Sequence, residues 1–189
     1  MIPFSLIIIY LVKCVIKNLK IPKARIPVLI GKENETIKTI EEKTRTKINV
    51  EKEITIEGES IDILVAENIV KAIARGFSPE NAFLLLDENY VLSVIPLSKD
   101  RKKLKRVKAR LIGTGGKCRK IMETATNTKI SIYGKTISII GRSDDVFTVQ
   151  TAVKKLISGA GHITVYKFLG VCDGEEKNRR GDGKRTKRD

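Results

Sequence analysis

The stretch Leu111-Ile112-Gly113-Thr114-Gly115-Gly116-Lys117-Cys118-Arg119-Lys120 decides how the rest of the chain reads. Its glycines at 113, 115 and 116 let the backbone turn tightly and lie close to a bound group, because no Cβ intervenes. The basic run that follows falls on the first turn of an expected helix, where free N–H groups and the helix dipole favour an anion. The stretch suits a phosphate. A Walker loop is excluded: it needs glycine and Ser/Thr at positions that hold Leu111 and Cys118. Cys118 also breaks the dinucleotide-binding fingerprint, which needs glycine there. What remains is Ile-Gly-x-x-Gly between two helical patterns.

An internal repeat supplies the context. At an offset of 82, Ile30-Gly31 falls on Ile112-Gly113, Ile40-Glu41 on Met122-Glu123, and Thr44 on Thr126. Thr46-Lys47-Ile48 falls on Thr128-Lys129-Ile130, and Val50 on Ile132. After a one-residue slip, Ile54, Ile56 and Gly58 match Ile137, Ile139 and Gly141, and Ser60 matches Ser143. That spacing is too long for a solenoid unit, so two similar domains of roughly 75 residues are expected.

Each half predicts the same order of elements. In the first, a strand from Val15 to Ile21 stops at Pro22, and Arg25 to Ile30 reads as a short helix. A second helix ends near Thr44 or Arg45, two strands follow around Asn49 and Thr55, and Ser60 caps a third helix. Gly76-Phe77-Ser78-Pro79-Glu80 breaks that helix and starts a linker helix, since Pro suits a first turn. The second half repeats the plan: a strand from Tyr90 to Ile95, a basic helix leading to Gly113, and a helix from Gly116 to Ala125. Strands over 129–132 and 136–140 then precede a long helix and a last short one from His162 to Leu169. Asp144-Asp145 is read as a dipole-matched first turn rather than a catalytic pair. The run from Ile2 to Ile16 leaves three readings open: an edge strand, a membrane anchor, or sequence upstream of the true start. The tail after Cys172 has too few apolar residues to order itself.

Charge divides the two halves. The formal net charge of +15 resolves into 12 basic against 13 acidic residues over 17–88, and 17 against 4 over 89–171. A polyanion partner for the second half follows; a nonspecific basic surface on a protein scaffold is the alternative. Cys14, Cys118 and Cys172 lack metal spacing and point to a reducing, cytoplasmic setting, and His162 is the single histidine. No nucleophile–base pair, carboxylate cluster or metal-ligand spacing is present, so neither catalysis nor a cofactor is expected.

With two such units, Arg75-Gly76-Phe77-Ser78-Pro79-Glu80 between them and the ending His162-Ile163-Thr164-Val165-Tyr166-Lys167-Phe168-Leu169, the chain resembles a known family. It is similar to the archaeal relatives of the partner-of-Nob-one small-subunit assembly factors, which are KH-domain proteins. The resemblance implies an α+β fold of two tandem type I KH modules (β-α-α-β-β-α), each a three-stranded sheet with helices on one face. The expected divisions are an apolar extension over 1–17, modules over 18–76 and 89–170, a linker helix over 77–88, and a disordered basic tail over 171–189. It also implies non-enzymatic binding of single-stranded RNA, small-subunit rRNA near its 3′ end, with a processing endonuclease or an initiation-factor subunit as protein partner and no membrane.

In such a module the GXXG loop clamps the backbone of four nucleotides. Here Gly113, Thr114, Gly115 and Gly116 take that role, with Lys117, Arg119 and Lys120 adding charge beside Lys108 and Arg110 of the preceding helix. Ile112, Ile130 and Ile132 are the expected apolar floor for bases, or else plain core. The first module departs from the pattern: Gly31-Lys32-Glu33-Asn34 lacks the closing glycine and puts Glu33 where phosphate should approach. Gly31, Lys32 and Asn34 are expected to bind RNA weakly, or the first module serves as a docking and spacing unit.

Overall fold

The computed structural model describes residues 15–51 and 53–171. It contains two three-stranded antiparallel sheets, each with its last strand in the middle. In the first module β1 (Val15–Leu19) and β2 (Lys47–Val50) flank β3 (Ile54–Gly58). The helices are α1 (Ile26–Ile30), α2 (Glu35–Thr44) and α3 (Ser60–Ala74). A short helix, α4 (Pro79–Ala82), and a 3₁₀ turn, Phe83–Leu86, lead to the second module. There β4 (Tyr90–Pro96) and β5 (Lys129–Tyr133) flank β6 (Thr136–Arg142). Its helices are α5 (Arg101–Ile112), α6 (Lys117–Thr126), α7 (Ser143–Ser158) and α8 (His162–Phe168). The order β-α-α-β-β-α appears twice, as the repeat implies.

The strand expected over 15–21 is present over 15–19, and it pairs with β3 from Val15 opposite Gly58 to Leu19 opposite Ile54. Val15 and Leu19, on one face by the two-residue period, both pack on the module's core. The readings of the apolar run before it and of the tail beyond residue 171 fall outside the described residues.

The repeated letters are repeated hydrogen bonds. Thr44 Oγ1 donates to Ile40 O at 2.7 Å and lies 2.8 Å from Thr46 Oγ1, while Glu41 Oε1 accepts from Ile48 N at 2.7 Å. In the second module Thr126 Oγ1 donates to Met122 O at 2.8 Å and lies 3.0 Å from Thr128 Oγ1, and Glu123 Oε1 accepts from Ile130 N at 2.8 Å. Arg45 and Asn127 close the same helix in left-handed conformation. Each network satisfies polar groups that burial would otherwise leave without partners. It also fixes the angle at which the helix turns back into the sheet.

The modules are joined through a sheet face. Ile137 and Ile139 of β6 point into the second core, so Ser138 and Ile140 point the other way. Ile140 is fully buried within the first module's cluster, beside Phe77, Ala82 and Leu85 of the linker. That burial contributes about 1.5–3 kcal/mol. Ser131 Oγ donates to Arg75 O at 2.9 Å, and the Arg25 guanidinium carbon stands 5.9 Å from the Tyr133 ring centroid. Arg25 also donates to Ile73 O at 2.8 Å and to Phe77 O. Gly76, at φ +99°, sits where a Cβ would come within 2.8 Å of Ser131 Oγ. The corresponding face of the first sheet carries Ile16, Asn18, Lys47, Asn49 and Glu57, all of them exposed.

Candidate nucleic-acid interface

The loop between α5 and α6 is shaped by three positive φ angles. Gly113 (φ 72°, ψ 176°) ends α5, and its missing Cβ would lie 2.7 Å from Cys118 Cβ and 2.9 Å from Cys118 N. No other residue fits there. Thr114–Gly116 form one 3₁₀ turn, closed by Gly116 N donating to Gly113 O at 3.2 Å. Gly115 (φ 59°) and Gly116 (φ 77°) are left-handed, and a Cβ built on either meets nothing within 4 Å. The turn's outer side is therefore bare backbone. Gly116 is also the N-cap of α6 and supplies no side-chain cap, so the first amides of the helix face outward without a side-chain acceptor.

The site is braced from behind. Cys118 is 1 % exposed under Gly113, and burial pushes its thiol up, against the smaller effects of a Tyr166 hydrogen bond and the Arg110 charge. His162 Nε2 lies 2.9 Å from Arg110 O, and Arg110 donates to Ala160 O at 2.5 Å. This reciprocal pair ties the last turn of α5, and hence the loop, to the turn between α7 and α8. Sequence reading placed His162 beside a helix but gave it no partner, since that partner is a backbone carbonyl far along the chain.

The expected site residues divide. Thr114, Gly115, Lys117 and Lys120 are exposed around the loop, with Gly113 and Gly116 half-buried in its backbone. Lys108 is half-buried on α5. Arg119 is also half-buried and leans on Glu123, Nε to Oε2 at 3.5 Å. Arg110 is half-buried, and one of its guanidinium nitrogens donates to the Ala160 carbonyl, which leaves its other N–H groups for a phosphate. Ile112 is 39 % exposed at the loop entrance and can meet a base. Of the two readings left open for Ile130, its 4 % exposure opposite Ile139 in the sheet fits core. Ile132 shares that face, as the two-residue period requires, and is half-buried against the same core.

The first module keeps the loop's shape without its glycines. Gly31 (φ 72°, ψ −172°), Glu33 (φ 50°, ψ 31°) and Asn34 (φ 64°, ψ 18°) match Gly113, Gly115 and Gly116 in backbone conformation. The charge differs: Lys32, Glu33 and Asn34 are exposed, and Glu35 opens the helix. An anion approaching this loop meets carboxylates. Among the described residues no three His, Cys, Asp or Glu side chains gather as metal ligands, and no helix is long and apolar enough to cross a membrane.

Comparison with known proteins follows the same division. A profile of the eukaryotic-type KH domain (KH-domain type I) matches residues 90–173, and a KH-domain profile matches residues 16–72. A KH domain-containing protein of Methanocaldococcus jannaschii is 39% identical over 164 residues, 82% of this chain and 72% of that protein. The pre-rRNA-processing protein pno1 of Aspergillus fumigatus is 32% identical over 119 residues, 60% of this chain, and the match spans 47% of the fungal protein. Among solved structures, Dim2p from Pyrococcus horikoshii aligns with TM-score 0.78 and 41% identity, covering 82% of this chain and 98% of that one. A chain of the a/eIF2alpha–aDim2p–rRNA complex from the same organism aligns with TM-score 0.79 and 40% identity, covering 85% and 95%. With a KH match in each half and a paired-module match along most of its length, the chain belongs to the family of tandem KH-domain proteins that contains archaeal Dim2p and eukaryotic Pno1.

Proposed function

We propose that this protein binds single-stranded RNA through the Gly113–Gly116 loop of its second module and acts, without catalysing a reaction, in maturation of the small-subunit rRNA near its 3′ end. The observation that carries this reading is the bare left-handed backbone of Gly115 and Gly116 at an uncapped helix start, inside the strongly basic half. A sugar-phosphate backbone can lie against that turn, with Lys117 and Lys120 beside it and Ile112 under a base. The relative crystallised with rRNA and the α subunit of an initiation factor supports both the RNA class and that protein partner, and the Pno1 relatives support pre-rRNA processing. A processing endonuclease is the other partner in this reading, and the setting is cytoplasmic. The first module, with its acidic loop, spaces and docks.

Fluorescence anisotropy tests it, with an oligonucleotide matching the small-subunit rRNA 3′ end against a scrambled strand across a salt series. Contact with about four phosphates gives a log–log salt slope near −3 for a single strand. The double variant Thr114→Asp/Gly115→Asp should lose most of the affinity while unfolding normally, because Asp tolerates left-handed φ. Equal binding by both proteins, with no strand preference, would leave only a nonspecific basic surface.

A further inference from the structure

The two modules differ most in what joins the first strand to the loop. The sheet registers place Val15 opposite Gly58 and Val91 opposite Gly141, so the strands correspond at an offset of 76. The loops correspond at 82, Gly31 to Gly113. Six residues have been added in the second module. In the first, the interval holds a 3₁₀ turn, Lys23–Arg25, and the five residues of α1. In the second it holds the 12 residues of α5, about 18 Å of helix, started by Asp100, whose carboxylate accepts from Lys103 N at 2.7 Å.

The lengthened helix buries Val107 and Leu111 on one side and turns Lys102, Lys105 and Arg106 to solvent on the other. Lys102 and Arg106 are one turn apart, and their stripe passes Ala109 and runs into Gly113. Among the described residues none of Arg101, Lys102, Lys103, Lys105, Arg106 or Lys108 forms an ion pair. Such a helix is poorly made for its own stability. Its cations repel at four-residue spacing, and those in the first turn oppose the dipole, with Asp100 alone to answer them. The start of the helix is nevertheless held in place: Leu97 N donates to Lys135 O at 2.8 Å, which anchors the connection to the turn between β5 and β6.

We propose that the exposed face of α5 is a second, sequence-blind phosphate track that continues the RNA footprint beyond the four nucleotides held by the loop. Its ligand is the phosphodiester backbone of the same strand, engaged by Lys102, Lys105 and Arg106. The track rests on the reading of the loop as an RNA clamp, yet it is separable in experiment. Loop contacts saturate with a short oligonucleotide; track contacts need a longer one.

The test uses the full chain and two RNAs sharing one core, of about six and about fourteen nucleotides, the first sufficient to fill a four-nucleotide clamp. The variant Lys102→Ala/Lys105→Ala/Arg106→Ala should bind the short RNA like wild type. On the long RNA it should lose tenfold or more in affinity, and its log–log salt slope should fall by about 2, the share of three phosphates on a single strand. Thermal unfolding should show the variant as stable as wild type or more so. Equal affinity and slope on the long RNA would overturn the track, and would point instead to an acidic protein on this face. If the loop variant Thr114→Asp/Gly115→Asp binds the short RNA unimpaired, the clamp reading fails. The slope difference on the long RNA still decides the track.

Discussion

Glu123 shows what one repeated residue does. One carboxylate oxygen accepts from Ile130 N at 2.8 Å and the other stands 3.5 Å from Arg119 Nε, while Glu41 repeats the first bond with Ile48 N at 2.7 Å. Glu123→Ala would leave a half-buried strand amide without its acceptor, and a loss of about 1–3 kcal/mol is expected in chemical denaturation. Glu123→Gln keeps an oxygen in place and should recover most of it; equal losses would mean that the charge, not the amide bond, matters. The sequence offset of 82 already paired Glu41 with Glu123 and Thr44 with Thr126, so the positions were legible. Their bonds were not, because a glutamate inside a helix reads equally well as a solvated one. Two readings stood open for Ile130 for a related reason: alternation puts it on one face with Ile132, and an aliphatic side chain suits a core and a base-binding floor alike. The bond from Arg110 to Ala160 O was not legible either, because that acceptor lies beyond any local pattern.

At the scale of the element, the two loops separate shape from charge. Gly31-Lys32-Glu33-Asn34 adopts the turn of Gly113–Gly116 although Glu33 and Asn34 bear side chains at φ 50° and 64°. A left-handed residue with a Cβ costs roughly 1–2 kcal/mol, less for Asn. Glu33→Gly/Asn34→Gly should therefore leave the melting temperature unchanged or raise it, while exposing backbone and removing a repelling carboxylate. Placed in a protein whose second loop carries Thr114→Asp/Gly115→Asp, the change should restore measurable RNA binding by anisotropy. Failure to do so would show that the basic surroundings of the second loop, not its turn, hold the nucleic acid. Sequence alone marked the missing glycine and the misplaced Glu33. Asn34, of a residue type that tolerates left-handed φ, left room for the turn to survive; the close approach of Gly31 to Thr36 on the next helix was not legible.

Across the whole molecule, the division of charge was readable by counting, and the junction between modules was not. The junction uses backbone carbonyls, a serine and a sheet face whose counterpart in the first module is mostly polar and exposed. Gly76 marks its tightest point. Gly76→Val would strain a φ of +99° and push into Ser131 and Tyr133, at a cost of about 3 kcal/mol or more once Ile140 is uncovered. Calorimetry should then show two separate unfolding steps, and small-angle scattering a larger radius, with binding of a short RNA unchanged within about twofold. A single transition at the wild-type temperature would mean that the junction contributes nothing.

Ile140 also has a meaning in time. It completes the first module's cluster from a strand made much later. Synthesis proceeds at ~5–20 residues per second, so several seconds separate the emergence of Arg75 from that of Ile140. For most of that interval the nascent first module lacks Ile140, the member of its cluster that the second module supplies. The second module closes what the first one started, and each copy reaches full stability only after that second module has been made.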